Sequence, residues 1–424
     1  MKKIIVLIAA MILPLKAQEQ KKDVTYYFQQ AVAAYEAKNF PSFLDNMLEA
    51  NKLRQHSPRI ILNLASAYAV NGRKDKAIAC LDQLGQMGLS YAAVAKDSDF
   101  VAMFNDEAFK KAIKKFEDNK LPVNRSEVAF SLPEKDLITE GVAYDPVDKT
   151  FYVGSIHKKK IVQRDASGNV SDFSVPEDGL FSVMGMKVDA ERRILWVATS
   201  ATPQMDGFMK ENENQTAVLK YDLKTKKLLK KYLPPANTGA HWFGDLVVAS
   251  NGDVYISDSR PQGIYRIDFK KDELSEFLPK GYFSSPQGIT FSNDEKYLFV
   301  ADYALGIFRI DMKTKSCEQL KVALDVCALG IDGMYGYQDQ LIVIQNGVNP
   351  HRIARFKLSN TFDHIDSYEK LEANHSAFDE PTLGVIIGDE FFFIANSQWG
   401  SFDKENKILP MDRLKNPVVL KLKL

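Results

Sequence analysis

Four stretches of the 424-residue sequence set an oxygen-bearing side chain against a glycine at the head of an apolar run: Glu140-Gly141, Gly244-Asp245, Gln287-Gly288 and Asp332-Gly333. Carboxylates and an amide, completed by water, form the all-oxygen donor set that a hard divalent cation such as Ca²⁺ or Mg²⁺ requires, whereas Zn²⁺ is better served by His or Cys. A carboxylate in such a set also acts as a general base toward water. For that chemistry the four stretches must converge, although 192 residues separate the first from the last.

A repeated unit brings them together. Asp245-Leu-Val-Val-Ala-Ser, the turn pair Asn251-Gly252, Val254-Tyr-Ile-Ser-Asp258 and Ile264-Tyr-Arg-Ile-Asp268 read as an antiparallel meander of three strands rich in Val, Ile and Tyr. Five further segments align on it, beginning at Glu140, Met184, Pro286, Asp332 and Thr382. The Asp that ends the third strand recurs at 165, 222, 268 and 311, giving spacings of 57, 46 and 43 residues. Periods of this size carrying several short strands predict an all-β six-bladed propeller over 126–424. In a propeller the first strand of each blade runs beside the central axis, so the residues entering those strands meet at one mouth. Here they are Glu140, Met184, Gly244, Gln287, Asp332 and Thr382, with Asp245 adding an oxygen donor beside the vacant Gly244. The alternating stretch 126–132 precedes the first blade and is expected to pair with 418–424, closing the ring and removing a free edge.

At these residues the chain resembles the senescence marker protein/gluconolactonase (regucalcin-like) family of six-bladed propellers. The motifs are Thr139-Glu-Gly-Val-Ala-Tyr-Asp, Phe243-Gly-Asp-Leu-Val-Val, Pro286-Gln-Gly-Ile and Ile331-Asp-Gly-Met, in the family's order, and the likeness runs from about Leu132 to the C-terminus. It implies a divalent cation on the axis, Ca²⁺ in the first place with Mg²⁺, Mn²⁺ or Zn²⁺ as alternatives, and hydrolysis of a small-molecule lactone or ester. Carried over by position, Glu140, Gln287, Asp332 and Asp245 are the metal residues, Asp332 is also the catalytic base, and Asp245 borders the substrate. His241 and Trp242 enter the strand that carries Asp245 and are the other candidate substrate contacts. Two departures stand out: Gln287 and Gly244 occupy positions where the family usually has Asn. Gln keeps the amide oxygen on a longer side chain and Gly supplies none, so a non-catalytic binding or scaffold propeller is the second reading. No Gly-Xaa-Ser-Xaa-Gly elbow or phosphate loop supports other chemistry.

From about residue 23 to 117 the apolar period becomes helical. Ala34, Phe43, Met47 and Ala50 each precede Tyr68, Ala77, Leu81 and Leu84 by 34 residues, with Gly72 at the helix turn. That period resembles the tetratricopeptide repeat and predicts an all-α helical domain over 18–120, made of two repeats and a terminal helix pair at 91–104 and 106–117. Such repeats offer a concave face to a protein or peptide partner, or cap the propeller. The short linker 119–125 predicts closely held domains. Residues 1–17 have the basic, apolar and small-residue sections of a signal peptide cleaved after Ala17, implying a periplasmic or secreted protein. No other apolar run is long enough to span a bilayer. Loss of Lys2, Lys3 and Lys16 lowers Lys+Arg from 55 to 52 against 55 Asp+Glu, a balance that excludes a nucleic-acid surface.

The remaining candidates read as structural. Asp165, Asp222, Asp258, Asp268, Asp302 and Asp311 are expected to be turn or ladder partners. Cys80, Cys317 and Cys327 are too scattered for a disulfide scaffold and read as small buried hydrophobes. The long loop 200–216, with Met205, Phe208 and Met209, has the length of a lid. Trp399 and Tyr303 are placed at a mouth.

Overall fold

The computed structural model describes residues 22–424. The expected signal peptide lies outside them. None of the described helices is long and apolar enough to cross a membrane.

Four helices, α1 (Val24–Glu36), α2 (Phe40–Leu53), α3 (Pro58–Val70) and α4 (Lys74–Gln86), form two antiparallel pairs whose starts are offset by 34 residues, 24 to 58 and 40 to 74. Asp23 caps α1 by accepting from the Tyr26 N–H, and Asn39 caps α2 by accepting from the Ser42 N–H. Gly72, at φ +70°, makes the turn between α3 and α4. The predicted terminal pair needs correction. Its first member is two short 3-10 segments, Ala92–Lys96 and Ser98–Met103, because Asp97 takes an extended backbone and its carboxylate accepts from the Asp99 N–H. Such local bonding competes with helix continuation. Only the second member is an α-helix, α5 (Glu107–Asn119), started by Asp106, which accepts from the Ala108 and Phe109 N–H groups.

Six antiparallel sheets follow as the blades of a propeller. The inner strands are Thr139–Asp145, Ser182–Asp189, Phe243–Val248, Pro286–Phe291, Ile331–Tyr337 and Gly384–Ile387. The ring closes as the pattern predicts: Glu127–Ser131 pairs with Val418–Lys423 and completes the last blade. Asp165, Asp222, Asp268 and Asp311 each accept backbone N–H groups in the turn that follows, and Asp302 holds the Ser284, Ser285, Ala304 and Leu305 N–H groups.

The helical region is docked on the fifth blade. Cys327 lies fully buried in one core with Leu84, Met87, Leu89 and Phe116, while Cys317 packs in a different cluster and all three cysteines are free thiols. Arg352, also fully buried, donates from Nε to Gln345 Oε1 at 2.7 Å and from a guanidinium nitrogen to the Met87 carbonyl at 2.8 Å, with its plane 5.1 Å from the Tyr368 ring centre. The linker is fastened too: Val123 exchanges backbone hydrogen bonds with Ala373, and Glu372 accepts from the Arg125 and Ser126 N–H groups and the Ser126 hydroxyl.

Candidate functional site

The first five inner strands lose register with the next strand at the same place: between Thr139 and Val142, Val183 and Met186, Phe243 and Leu246, Pro286 and Ile289, and Ile331 and Met334. A bulge frees residues from the ladder and re-aims them. Inside the five bulges lie Glu140, Met184, Gly244, Gln287 and Asp332. The following residue abuts the next blade. A Cβ on Gly141 would sit 2.3 Å from the Met184 carbonyl oxygen, so glycine is required there. In the third blade that position is Asp245, whose carboxylate leans over Gly185 into room that a Cβ would take, 2.6 Å away.

The mouth opens into a cavity of about 390 Å³ lined by Glu140, Asp245, Gln287 and Asp332, with Trp242 and Trp399 among its walls. Glu140 is 9% exposed, and its Oε2 accepts from Trp399 Nε1 at 2.8 Å and from the Ser397 hydroxyl at 3.2 Å. Asp332 Oδ2 accepts from Asn346 Nδ2 at 2.7 Å, and Asn346 Oδ1 accepts from the Tyr303 hydroxyl at 3.1 Å. Among the described residues the other oxygen of each carboxylate has no hydrogen-bond donor. Gln287 donates to the Ser285 hydroxyl at 3.1 Å, which leaves its Oε1 standing over the vacant slot, 3.7 Å from where a Gly244 Cβ would be. The Gln287 amide oxygen thus borders the space beside Gly244.

Asp245 sits deeper, 3% exposed. Its Oδ1 accepts from the Leu246 N–H at 2.9 Å and meets Lys187 Nζ at 3.2 Å, while its buried Oδ2 has no partner. Lys187 Nζ lies 5.2 Å from the Tyr335 ring centre, so Lys187 and Tyr335 back Asp245, which itself lines the cavity.

Like charges crowd here. Burial first, and Asp332 second, hold the Glu140 carboxyl well above the usual carboxylate range. Burial, with Glu380 and Asp245 adding to it, lifts Asp332 to about 7 although the Asn346 hydrogen bond pulls the other way. Nothing in the cavity wall is His or Cys. The donor chemistry thus fits a hard cation or a proton rather than Zn²⁺. No three His, Cys, Asp or Glu side chains among the described residues are grouped closely enough to hold a metal ion alone. Asp245 is turned onto Lys187, and Thr382, the sixth ring position, gives its hydroxyl to the Glu140 carbonyl at 2.8 Å.

His241 is not brought to this cavity. It is 3% exposed, with Nδ1 2.5 Å from Asp258 Oδ2 and Nε2 2.7 Å from the Thr238 hydroxyl, so both ring nitrogens are engaged in fixing the segment that carries Trp242. Trp242 does reach the wall. Sequence reasoning passed over Lys187, Arg260 and Asn346, which touch the site from neighbouring strands and loops. The loop 200–216 is a folded cover: Met205 is buried and the Gln204 carbonyl is 2.7 Å from His157 Nδ1. Beneath it, past Trp242 and Arg260, lies a second space of about 780 Å³.

A six-bladed propeller with an acid-floored axial cavity and a helical region docked at its side is the class of protein these features define. Solved structures similar to the chain include a gluconolactonase from Xanthomonas campestris, 12% identical over 71% of this chain and 96% of that one, with a TM-score of 0.49. A calcium-binding protein, regucalcin, from Agrobacterium tumefaciens is 14% identical over 70% and 93%, with a TM-score of 0.48. A virginiamycin B lyase from Staphylococcus aureus is 16% identical over 69% and 83%, with a TM-score of 0.46. No family model matches the chain, and no curated protein sequence does.

Proposed function

We infer that this protein is an exported hydrolase of lactone or ester type that uses a divalent cation, Ca²⁺ first, in the axial cavity. The observation that carries the reading is the pair Glu140 and Asp332: two carboxyls with proton affinities raised by burial, sharing a cavity and each keeping one oxygen free of donors. Such a pair is relieved by a cation or a proton.

Glu140, Asp332 and the Gln287 amide are the residues to hold the cation, with the orphaned Asp245 oxygen behind them. When bound, a cation there supplies polarisation of the scissile carbonyl. Asp332 takes the proton from the attacking water, its carboxylate oxygen without a donor being the one free to do so. Asn346 orients Asp332, and Trp399 with Ser397 orients Glu140. Trp242 and Trp399 offer flat apolar faces to a ring-shaped substrate and exclude water from the reacting bond. The groove between α1 and α3, lined by Phe28, Val32, Arg54 and Ile60, is offered to a peptide partner.

The grouping of fewer than three acids, with Gly244 in the ring, favours a second reading in which the same cavity binds a ligand without turning it over. Metal analysis of the purified mature protein, paired with a lactone panel assayed with and without chelator, separates the two. A stoichiometric cation and chelator-sensitive hydrolysis are expected. A protein free of metal that hydrolyses no lactone after Ca²⁺, Mg²⁺, Mn²⁺ or Zn²⁺ is added would sink the hydrolase.

A further inference from the structure

The axial cavity contains three carboxylates and one guanidinium at its rim. Arg260 lines both the axial cavity and the outer space beneath loop 200–216, and Trp242 is the other residue common to both. The two spaces are therefore neighbours that share this wall, with Arg260 at their junction. Its guanidinium lies 5.2 Å from the Trp242 ring centre and donates to the Asn214 side-chain carbonyl on loop 200–216. Its backbone is pinned as well, since its N–H donates to Asp258 Oδ1 at 3.1 Å. Among the described residues no carboxylate pairs with this guanidinium. Stacked on one face and tethered at one nitrogen, the exposed guanidinium is a planar donor fork with hydrogen-bonding capacity left over.

An unpaired arginine held this way at a cavity rim suits a carboxylate or phosphate, which it can grip with two parallel hydrogen bonds. A neutral ligand gains nothing comparable. Resting on the hydrolase reading above, we propose that Arg260 is a specificity-determining residue and that the substrate is an anionic lactone or ester. Its carboxylate or phosphate lies at the junction, its reacting bond over the acid floor, and any further substituent under loop 200–216.

The test uses a matched pair of probes that cannot be hydrolysed, glucuronate and glucose, which differ at one carbon in carrying a carboxylate or a hydroxymethyl group. Binding is followed by the fluorescence of Trp242 and Trp399 in the cavity wall, on the full-length mature protein with Ca²⁺ present. Wild type is expected to bind glucuronate about tenfold or more tightly than glucose. Arg260→Met should bring the two within about threefold, and Arg260→Lys should keep part of the preference. Asn214→Ala removes the loop tether while leaving the charge, and should retain the preference; loss of it in Asn214→Ala with retention in Arg260→Met would overturn the assignment. So would equal binding of both probes by wild type, or no binding of glucuronate at millimolar concentration. Because the assay needs no turnover, a protein that prefers glucuronate yet opens no lactone upholds Arg260 and removes the hydrolase.

Discussion

The axial cavity and the seam between helices and propeller both bury charge, and they treat it in opposite ways. At the seam Arg352 is closed in completely but finds Gln345, the Met87 carbonyl and the Tyr368 face already in place, with one guanidinium nitrogen left without a partner among the described residues. On the axis Glu140 and Asp332 line one open cavity, near enough for Asp332 to raise the proton affinity of Glu140, and Lys187 is committed to Asp245. A buried charge whose partners are built in holds a structure together. A buried charge without them stores an unfavourable interaction that a ligand can relieve, which is how functional sites trade stability for activity.

The sharpest way to break this contrast is to remove one charge from each region. Asp332→Asn should lower lactone turnover by about 10²- to 10⁴-fold, measured as kcat, while leaving the metal-free protein at least as stable as wild type. Arg352→Ala should do the reverse, costing about 3 kcal/mol in a denaturant titration because the Met87 and Gln345 acceptors are left buried and unpaired, with turnover per folded molecule retained. Equal destabilisation by both substitutions would erase the distinction.

Acidity sharpens it further. Asp332 binds its proton more tightly folded, at about 7, than at the ordinary 3.8 of an unfolded chain, so between those values the folded state holds more protons than the unfolded one. The contribution of Asp332 to the stability of the metal-free protein is therefore fully present below about pH 4, is lost as pH rises through about 7, and is absent above it. Thermal melts across that range should show the slope in wild type and a weaker one in Asp332→Asn. The smallest effect is expected from Trp399→Phe. It keeps the wall but deletes the donor that favours ionised Glu140, so Ca²⁺ binding followed by titration should fail at a higher pH as the solution is acidified.

Glu140, Met184, Gln287 and Asp332 were legible because each is flagged by the glycine beside it, and that glycine is forced by the close approach of adjacent inner strands at Gly141 and its counterparts. The blade repeat and the closing strand were legible for the same kind of reason: alternation and spacing are local, and a leftover strand has only one free edge to join. What escaped were side-chain contacts between segments distant in sequence or turned away from the pattern. Nothing in His241-Trp242 indicates that the imidazole turns inward to Asp258 while the indole turns out. Nor does the sequence indicate that the Gln287 amide oxygen borders the space beside Gly244. Arg352 sits in an alternating strand where an outward arginine is ordinary, and only the docked helices make it a lock. The terminal helix pair failed through Asp97, whose capping tendency outweighed an otherwise helical composition.

The closing strand has a consequence for the order of events. Glu127 meets Lys421 across nearly the whole length of the propeller sequence, and pairings this distant are entropically slow to form. Thr382, Ser397 and Trp399 all belong to the blade that waits for that pairing, and they are the residues that hold Glu140. The cavity therefore comes into being with the last step of ring assembly. A ligand of the axis cannot guide the early folding of this chain; it can only slow the ring's reopening once the final strand is in place.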